Sequence, residues 1–223
     1  MEEKRNVSQN SVVLVPGVGS SYGNGWGKLW KYFLELLLIG IIGLVISIIS
    51  PGIGGSAPDA VGTAIISGVL GFAYSILIVN PVEYGVTFAY LKAARGDKLE
   101  IKNMFEAFHN YWNAVLAYLL VGVIVFIGFV LLIIPGIIFA CKLVFTPYLV
   151  VDRKMQVIEA VKESWRMTNG HAWKVFLIGL LAIPISIAGF IVFGVGIIVS
   201  IMWIRLAFAS LYHSVSLSGE ASG

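Results

Sequence analysis

Apolar and polar positions fall along this chain in long blocks rather than in the short periods of a water-soluble fold. Stretches without a charged side chain cover residues 36–58, 60–82, 107–141 and 175–204, each longer than the ~20 residues that one helix needs to cross a hydrocarbon layer. Helix breakers divide these stretches. A first helix is predicted over 30–49, ending at Pro51-Gly52-Ile53-Gly54-Gly55, where a missing backbone donor and a glycine run force a turn. A second starts near the capping acid Asp59, stays apolar to Val79 and continues beyond a proline kink at Asn80-Pro81 to Arg95. A third takes 112–134, Pro135-Gly136 turns the chain, and a fourth takes 136–151. The tract 173–217 is too long for one helix and divides at Gly194-Val195-Gly196 into a fifth and a sixth. The pattern predicts an all-α integral membrane protein with six transmembrane helices in three helical hairpins.

Two polar segments between these helices are themselves amphipathic. Ile101, Met104, Phe105 and Phe108 recur at helical spacing, and Val157, Ile158, Val161 and Trp165 form a similar stripe, with Lys and Glu on the other faces. Two amphipathic cytoplasmic helices are expected, either capping the bundle or lying in the lipid interface.

Composition strengthens the membrane reading. The chain of 223 residues is 58% hydrophobic and 12% charged, with a mean hydropathy of +0.92, whereas soluble domains carry about 25% charged residues. A net charge of +3 suggests nucleic acid only until the cations are placed. All fifteen Lys and Arg except Lys142 and Arg205 lie in three blocks, around 4–31, 92–102 and 153–174. Every block falls on one side of a six-helix topology, the positive-inside pattern. The expected localisation is the cell membrane with both termini cytoplasmic: a flexible N-terminal segment over 1–27, a transmembrane domain over 28–217 and a tail over 218–223. No signal peptide is expected, because residues 1–24 hold no apolar core beyond 12–15. The single Cys141 can form no intrachain bridge.

A weak internal repeat accompanies the hairpins. Trp30-Lys31-Tyr32-Phe33-Leu34, Trp112-Asn113-Ala114-Val115-Leu116 and Trp173-Lys174-Val175-Phe176-Leu177 open the odd-numbered helices, with Asn24, Asn110 and Asn169 upstream. Duplication and three independent interfacial tryptophan anchors account for it equally well.

Ionisable groups within hydrocarbon cost about 2.5–3.5 kcal/mol each even on a lenient scale, so Glu35, Glu83, Lys142 and Arg205 are the candidate chemistry. Lys142 follows the turn at Gly136 by roughly 9 Å and Arg205 follows Gly196 by roughly 14 Å at helical rise. Asn80-Pro81 frees a carbonyl near Leu77, not far from Glu83. Glu35, Glu83, Lys142, Arg205 and Asn80 either line an interior polar site or form ion pairs that fix the helices. Motifs for catalysis or metal are missing: the glycines of 17–27 do not meet the phosphate-loop spacing, and His109, His171 and His213 stand apart.

Residues 81–108, P-V-E-Y-G-V-T-F-A-Y-L-K-A-A-R-G-D-K-L-E-I-K-N-M-F-E-A-F, carry a resemblance together with the Ile134-Pro135-Gly136-Ile137 turn and Glu159-Ala160…Ser164-Trp165…Gly170. On these pieces the chain resembles small multi-pass prokaryotic membrane proteins similar to the membrane domain of glycerophosphodiester phosphodiesterases. The likeness runs over about 28–216 and implies the same six-helix architecture. The soluble phosphodiesterase barrel with its acidic and His metal ligands has no counterpart in this sequence. The expected function is a non-enzymatic accessory, scaffold or lipid-contacting subunit. Its expected partners are membrane lipids and a membrane-protein partner or second copy, with neither cofactor nor nucleic acid. The alternative is a small transporter or channel using the buried Glu and Lys/Arg residues.

Overall fold

The computed structural model describes residues 15–48, 61–191 and 196–220. The expected turn at Pro51, the cap at Asp59, the division at Gly194-Val195 and the outermost ends of both terminal segments lie outside the described residues. Among those described, the secondary structure is entirely helical: α1 (Val18–Lys31), α2 (Phe33–Ile48), α3 (Val61–Tyr74), a π turn (Ser75–Val79), α4 (Asn80–Arg95), a 3-10 helix (Ile101–Asn110), α5 (Tyr111–Leu131), α6 (Ile133–Leu143), α7 (Thr146–Asp152), α8 (Val157–Met167), α9 (Ala172–Ile191) and α10 (Gly196–Glu220). Five continuous or nearly continuous helical stretches are long and apolar enough to cross a membrane, and a sixth is counted if α1 and α2 are taken together.

That sixth differs from the expectation. Residues 18–27, assigned to a flexible segment, are helical, and α1 meets α2 at a 93° bend. Docking against α10 holds α1 in place. Gly25 sets the two backbones so close that a Cβ there would stand 3.3 Å from the Ala207 nitrogen. Around it, the Trp203 indole donates to the Tyr22 carbonyl at 2.9 Å, the Tyr22 hydroxyl to the Ile178 carbonyl at 2.9 Å, and the Asn24 amide to Ala94 and Ser210 at 3.1 and 2.8 Å. Trp30 therefore closes α1 ahead of the bend, whereas Trp112 and Trp173 sit in the first turns of α5 and α9. The three tryptophans are exposed but do not occupy equivalent places.

Proline and glycine set the other breaks. Pro81 lacks the N–H that would bond the Leu77 carbonyl, the preceding turn widens into the π segment, and the Tyr111 hydroxyl takes the freed carbonyl at 2.8 Å. Helix α4 ends at Gly96 in the left-handed region, φ 89°, where glycine costs least. Extended backbone at Leu132 separates α5 from α6, and the hairpin closes tightly because a Cβ on Gly128 would lie 2.9 Å from the Gly136 Cα. Between α6 and α7 the helix is interrupted ahead of Pro147. Helix α8 mends the gap: Ser164 donates to the Lys142 carbonyl at 2.9 Å and accepts from the Phe145 N–H at 3.2 Å, while Thr168 donates to the same carbonyl at 3.1 Å.

The first amphipathic segment is a 3-10 helix. With three residues per turn, Met104 and Ala107 point inward while Phe105 and Phe108 share the open face, and Ile101 at the start of the helix is also exposed. It lies directly on α4, where the Met104 carbonyl occupies the space a side chain at position 85 would need. The second segment, α8, buries Ala160 and Ser164 and leaves Ile158 and Trp165 exposed. The buried core runs through the facing sides of α1, α4, α7 and α10.

Candidate functional site

Arg205 stands near the middle of α10, and Glu83 stands in the first turn of α4, near the middle of the continuous helical stretch Ser67–Arg95. Arg205 follows the start of α10 by roughly 14 Å, and Glu83 precedes the end of α4 by roughly 18 Å at 1.5 Å rise per residue. Their side chains meet: Arg205 Nη1 lies 2.9 Å from Glu83 Oε2, and the guanidinium lies 5.7 Å from the centre of the Tyr90 ring. The pair is joined but not sealed, since 38% of the Glu83 side chain and 37% of the Arg205 side chain remain accessible.

The accessible surface opens into cavities. The first, about 310 Å³, lies between α2, α4 and α10, and its walls include Gly40, Leu44, Val86, Tyr90, Met202 and Arg205. The second, about 720 Å³, lies between α4, α5, α6 and α7, and includes Asn80, Tyr84, Thr87, Tyr118, Phe126 and Pro147. Glu83 borders both. Helical spacing accounts for this: positions 83, 86 and 90 fall on one face of α4 and positions 80, 84 and 87 on the adjoining face. Both volumes fall within the roughly 300–1,000 Å³ common to small-molecule sites. Asn80, Tyr84 and Tyr118 make no side-chain hydrogen bond among the described residues, and Thr87 donates back to the Glu83 carbonyl at 2.9 Å.

The other two candidates lie elsewhere. Lys142 donates to the Asn169 side chain and stands over the Trp165 ring at 5.4 Å, so its ammonium is held by α8 and the loop after it. Glu35 is half-buried in the first turn of α2 and makes no ion pair among the described residues. Of the five candidates, the structure gathers Glu83, Arg205 and Asn80.

Sequence reasoning missed a second charged cluster. Arg95 grips Asp152 with two parallel bonds of 2.6 Å, and the Tyr212 hydroxyl donates to Asp152 at 3.1 Å. Tyr212 stacks on Tyr148 at 4.9 Å. Arg95 had counted only as one cation among many at the basic end. The usable signal was Asp152, an acid closing an apolar helix beside the basic Arg153-Lys154. On α8, the exposed Arg166 guanidinium bonded to the largely covered Glu163 at 2.8 Å holds that carboxyl below the usual range. Among the described residues, no group of three or more His, Cys, Asp or Glu side chains gathers at metal-binding distance.

Residues 123–218 match a protein family described as protein of unknown function (DUF975). The match runs from within α5 to the end of α10 and includes Lys142, Asp152 and Arg205, but stops short of Asn80 and Glu83. No curated protein and no solved structure matches the chain.

Proposed function

We propose that this is a multi-pass protein of the cell membrane, crossing it six times with both ends on the cytoplasmic side, and that it acts without catalysis as a lipid-contacting accessory subunit. Its ligand is a charged amphiphile held against Glu83 and Arg205. The membrane placement draws on the long apolar helices, on the exposed apolar residues of α5 and α9 such as Val123, Ile127, Ile187 and Phe190, and on the basic residues collected at one end.

One observation carries the ligand: a bonded charge pair halfway through the bundle leaves more than a third of each side chain open to cavities with mostly apolar walls. Charge facing hydrocarbon is costly, and a pair serving only to fix helices is best sealed. The open surface calls for a polar head, while the apolar walls accept the tail attached to it. A transporter is the second reading, favoured by the position of Glu83 in the walls of both cavities.

Thermal unfolding in phosphatidylcholine nanodiscs tests this reading with decanesulfonate and decyltrimethylammonium. A ligand at 100 times its dissociation constant stabilises by about 2.7 kcal/mol. At least one of the two should raise the unfolding temperature of the native protein, and the double variant Glu83→Gln/Arg205→Gln should lose that rise. Equal responses from both proteins reject the site.

A further inference from the structure

We propose that the ligand is a monoanionic amphiphile and that each molecule bound brings one proton onto Glu83, an inference that rests on the amphiphile reading of this site. Arg205 selects the sign of the head. It lies in the wall of the α2–α4–α10 cavity and not in that of its neighbour, so a head entering there meets a guanidinium that keeps its charge and carries five N–H donors in a planar fork. A single 2.9 Å contact joins that fork to Glu83, leaving donors that an anionic head can take.

Charge balance then requires the proton. An anion that displaces Glu83 puts two negative charges against one cation in a low-dielectric site, and like charges so placed favour protonation of the weaker acid. The ionisable groups facing Glu83 are few: Arg205 from α10, Tyr84 and Tyr90 from its own helix and Tyr118 from α5. Tyr148 of α7 reaches Arg205 electrostatically. The lining residues of α2, α6 and α7 bring no other ionisable side chain. Tyrosines are already protonated at neutral pH, which leaves Glu83 as the acceptor. The balance is simple: one anion and one solvent proton enter, the Glu83–Arg205 contact breaks, and Arg205 pairs with the anion. The neutral Glu83 carboxyl turns to the second cavity, where the unbonded Asn80 amide and Tyr84 and Tyr118 hydroxyls can receive it. No covalent bond forms or breaks in the ligand.

The probe is decanesulfonate, whose charge does not titrate. Binding to the protein in phosphatidylcholine nanodiscs is measured from about pH 5.5 to about pH 8.5, and proton uptake is followed in weak buffer with an indicator dye. The expected result is uptake approaching one proton per molecule bound and affinity falling ~tenfold per pH unit at the alkaline end. Glu83→Gln should bind with little pH dependence and no uptake. Arg205→Gln should lose binding, with elution as a single folded species as its control. Methanesulfonate should fail for want of a tail, and competition by phosphatidylglycerol added to the disc would identify a membrane lipid as the source. Binding without proton uptake overturns the inference while leaving the amphiphile reading intact. Binding of decyltrimethylammonium alone also overturns it, and binding of neither probe removes both.

Discussion

The protein contains two Arg–carboxylate pairs, and they are built differently. At the basic end, Arg95 and Asp152 meet through two bonds of 2.6 Å, a tyrosine supplies a third, and only 11% of the Asp152 side chain is accessible. In the middle of the bundle, Arg205 and Glu83 share one contact and stand open to two cavities. Two parallel bonds give geometric specificity as well as strength, which suits a fastener between the ends of α4 and α7. A single contact beside empty volume can be exchanged for a ligand. Position within a long apolar helix says which charge is costly to bury, and the completeness of its bonding separates a closed pair from an open one.

Breaking the fastener should have the largest effect. Asp152→Ala strands a partly buried Arg95 and should cost about 3 kcal/mol, read as a lower unfolding temperature and less folded protein in mild detergent. The double variant Arg95→Met/Asp152→Leu should regain most of the loss. Arg205→Gln should cost less, about 1–2 kcal/mol, because a third of the Glu83 side chain is already open to solvation, yet it should abolish amphiphile-induced stabilisation that Asp152→Asn retains. If the order of these two costs is reversed, the distinction between the pairs fails.

About four turns along α4 from the fastener, the proline break has its own support. Tyr111→Phe removes the hydroxyl that bonds the Leu77 carbonyl and should cost about 1 kcal/mol. It should also weaken amphiphile binding several-fold by loosening the turn that leads into Asn80 and Glu83. Unchanged binding would separate the break from the site.

The smallest effect belongs to the pair on α8, whose Arg166 side chain is largely exposed. Arg166 keeps the Glu163 carboxyl below its unfolded value, so the stabilisation is present above the ordinary carboxylate pKa and is lost as pH falls through the depressed one. Glu163→Gln should lower stability slightly near neutrality and converge with the native protein at acid pH, which flattens the acid limb of the stability profile. A variant with the native stability near neutrality and an unchanged acid limb would assign that limb to another group.

Much of this arrangement can be read in the residue pattern because long apolar helices follow strong rules. Apolar runs and breakers locate the helices, and Pro81 announces the unbonded Leu77 carbonyl. They do not announce that Tyr111 takes it, since the partner comes from another helix. Glu35, Glu83, Lys142 and Arg205 gave the same signal, a charge inside an apolar run. Position along a helix does not give its rotation about the axis, and rotation decides that Glu83 faces Arg205 while Lys142 faces Trp165. The docking of α1 was hidden for a different reason. Its small residues, Ser21 and Gly25 among them, resemble those of a flexible segment, and Gly25 is also what allows close approach to α10.

A photoactivatable alkyl sulfonate, cross-linked to the protein in nanodiscs and mapped by peptide mass spectrometry, tests the central claim most directly. Adducts should concentrate on the cavity walls of α2, α4 and α10, around Gly40–Leu44, Val86 and Ile201–Met202, and should disappear in Arg205→Gln. Adducts confined to outward residues such as Ile127, Ile187 and Phe190, with the same yield in the variant, would mean that the ligand is only bulk lipid and the charged pair only a brace.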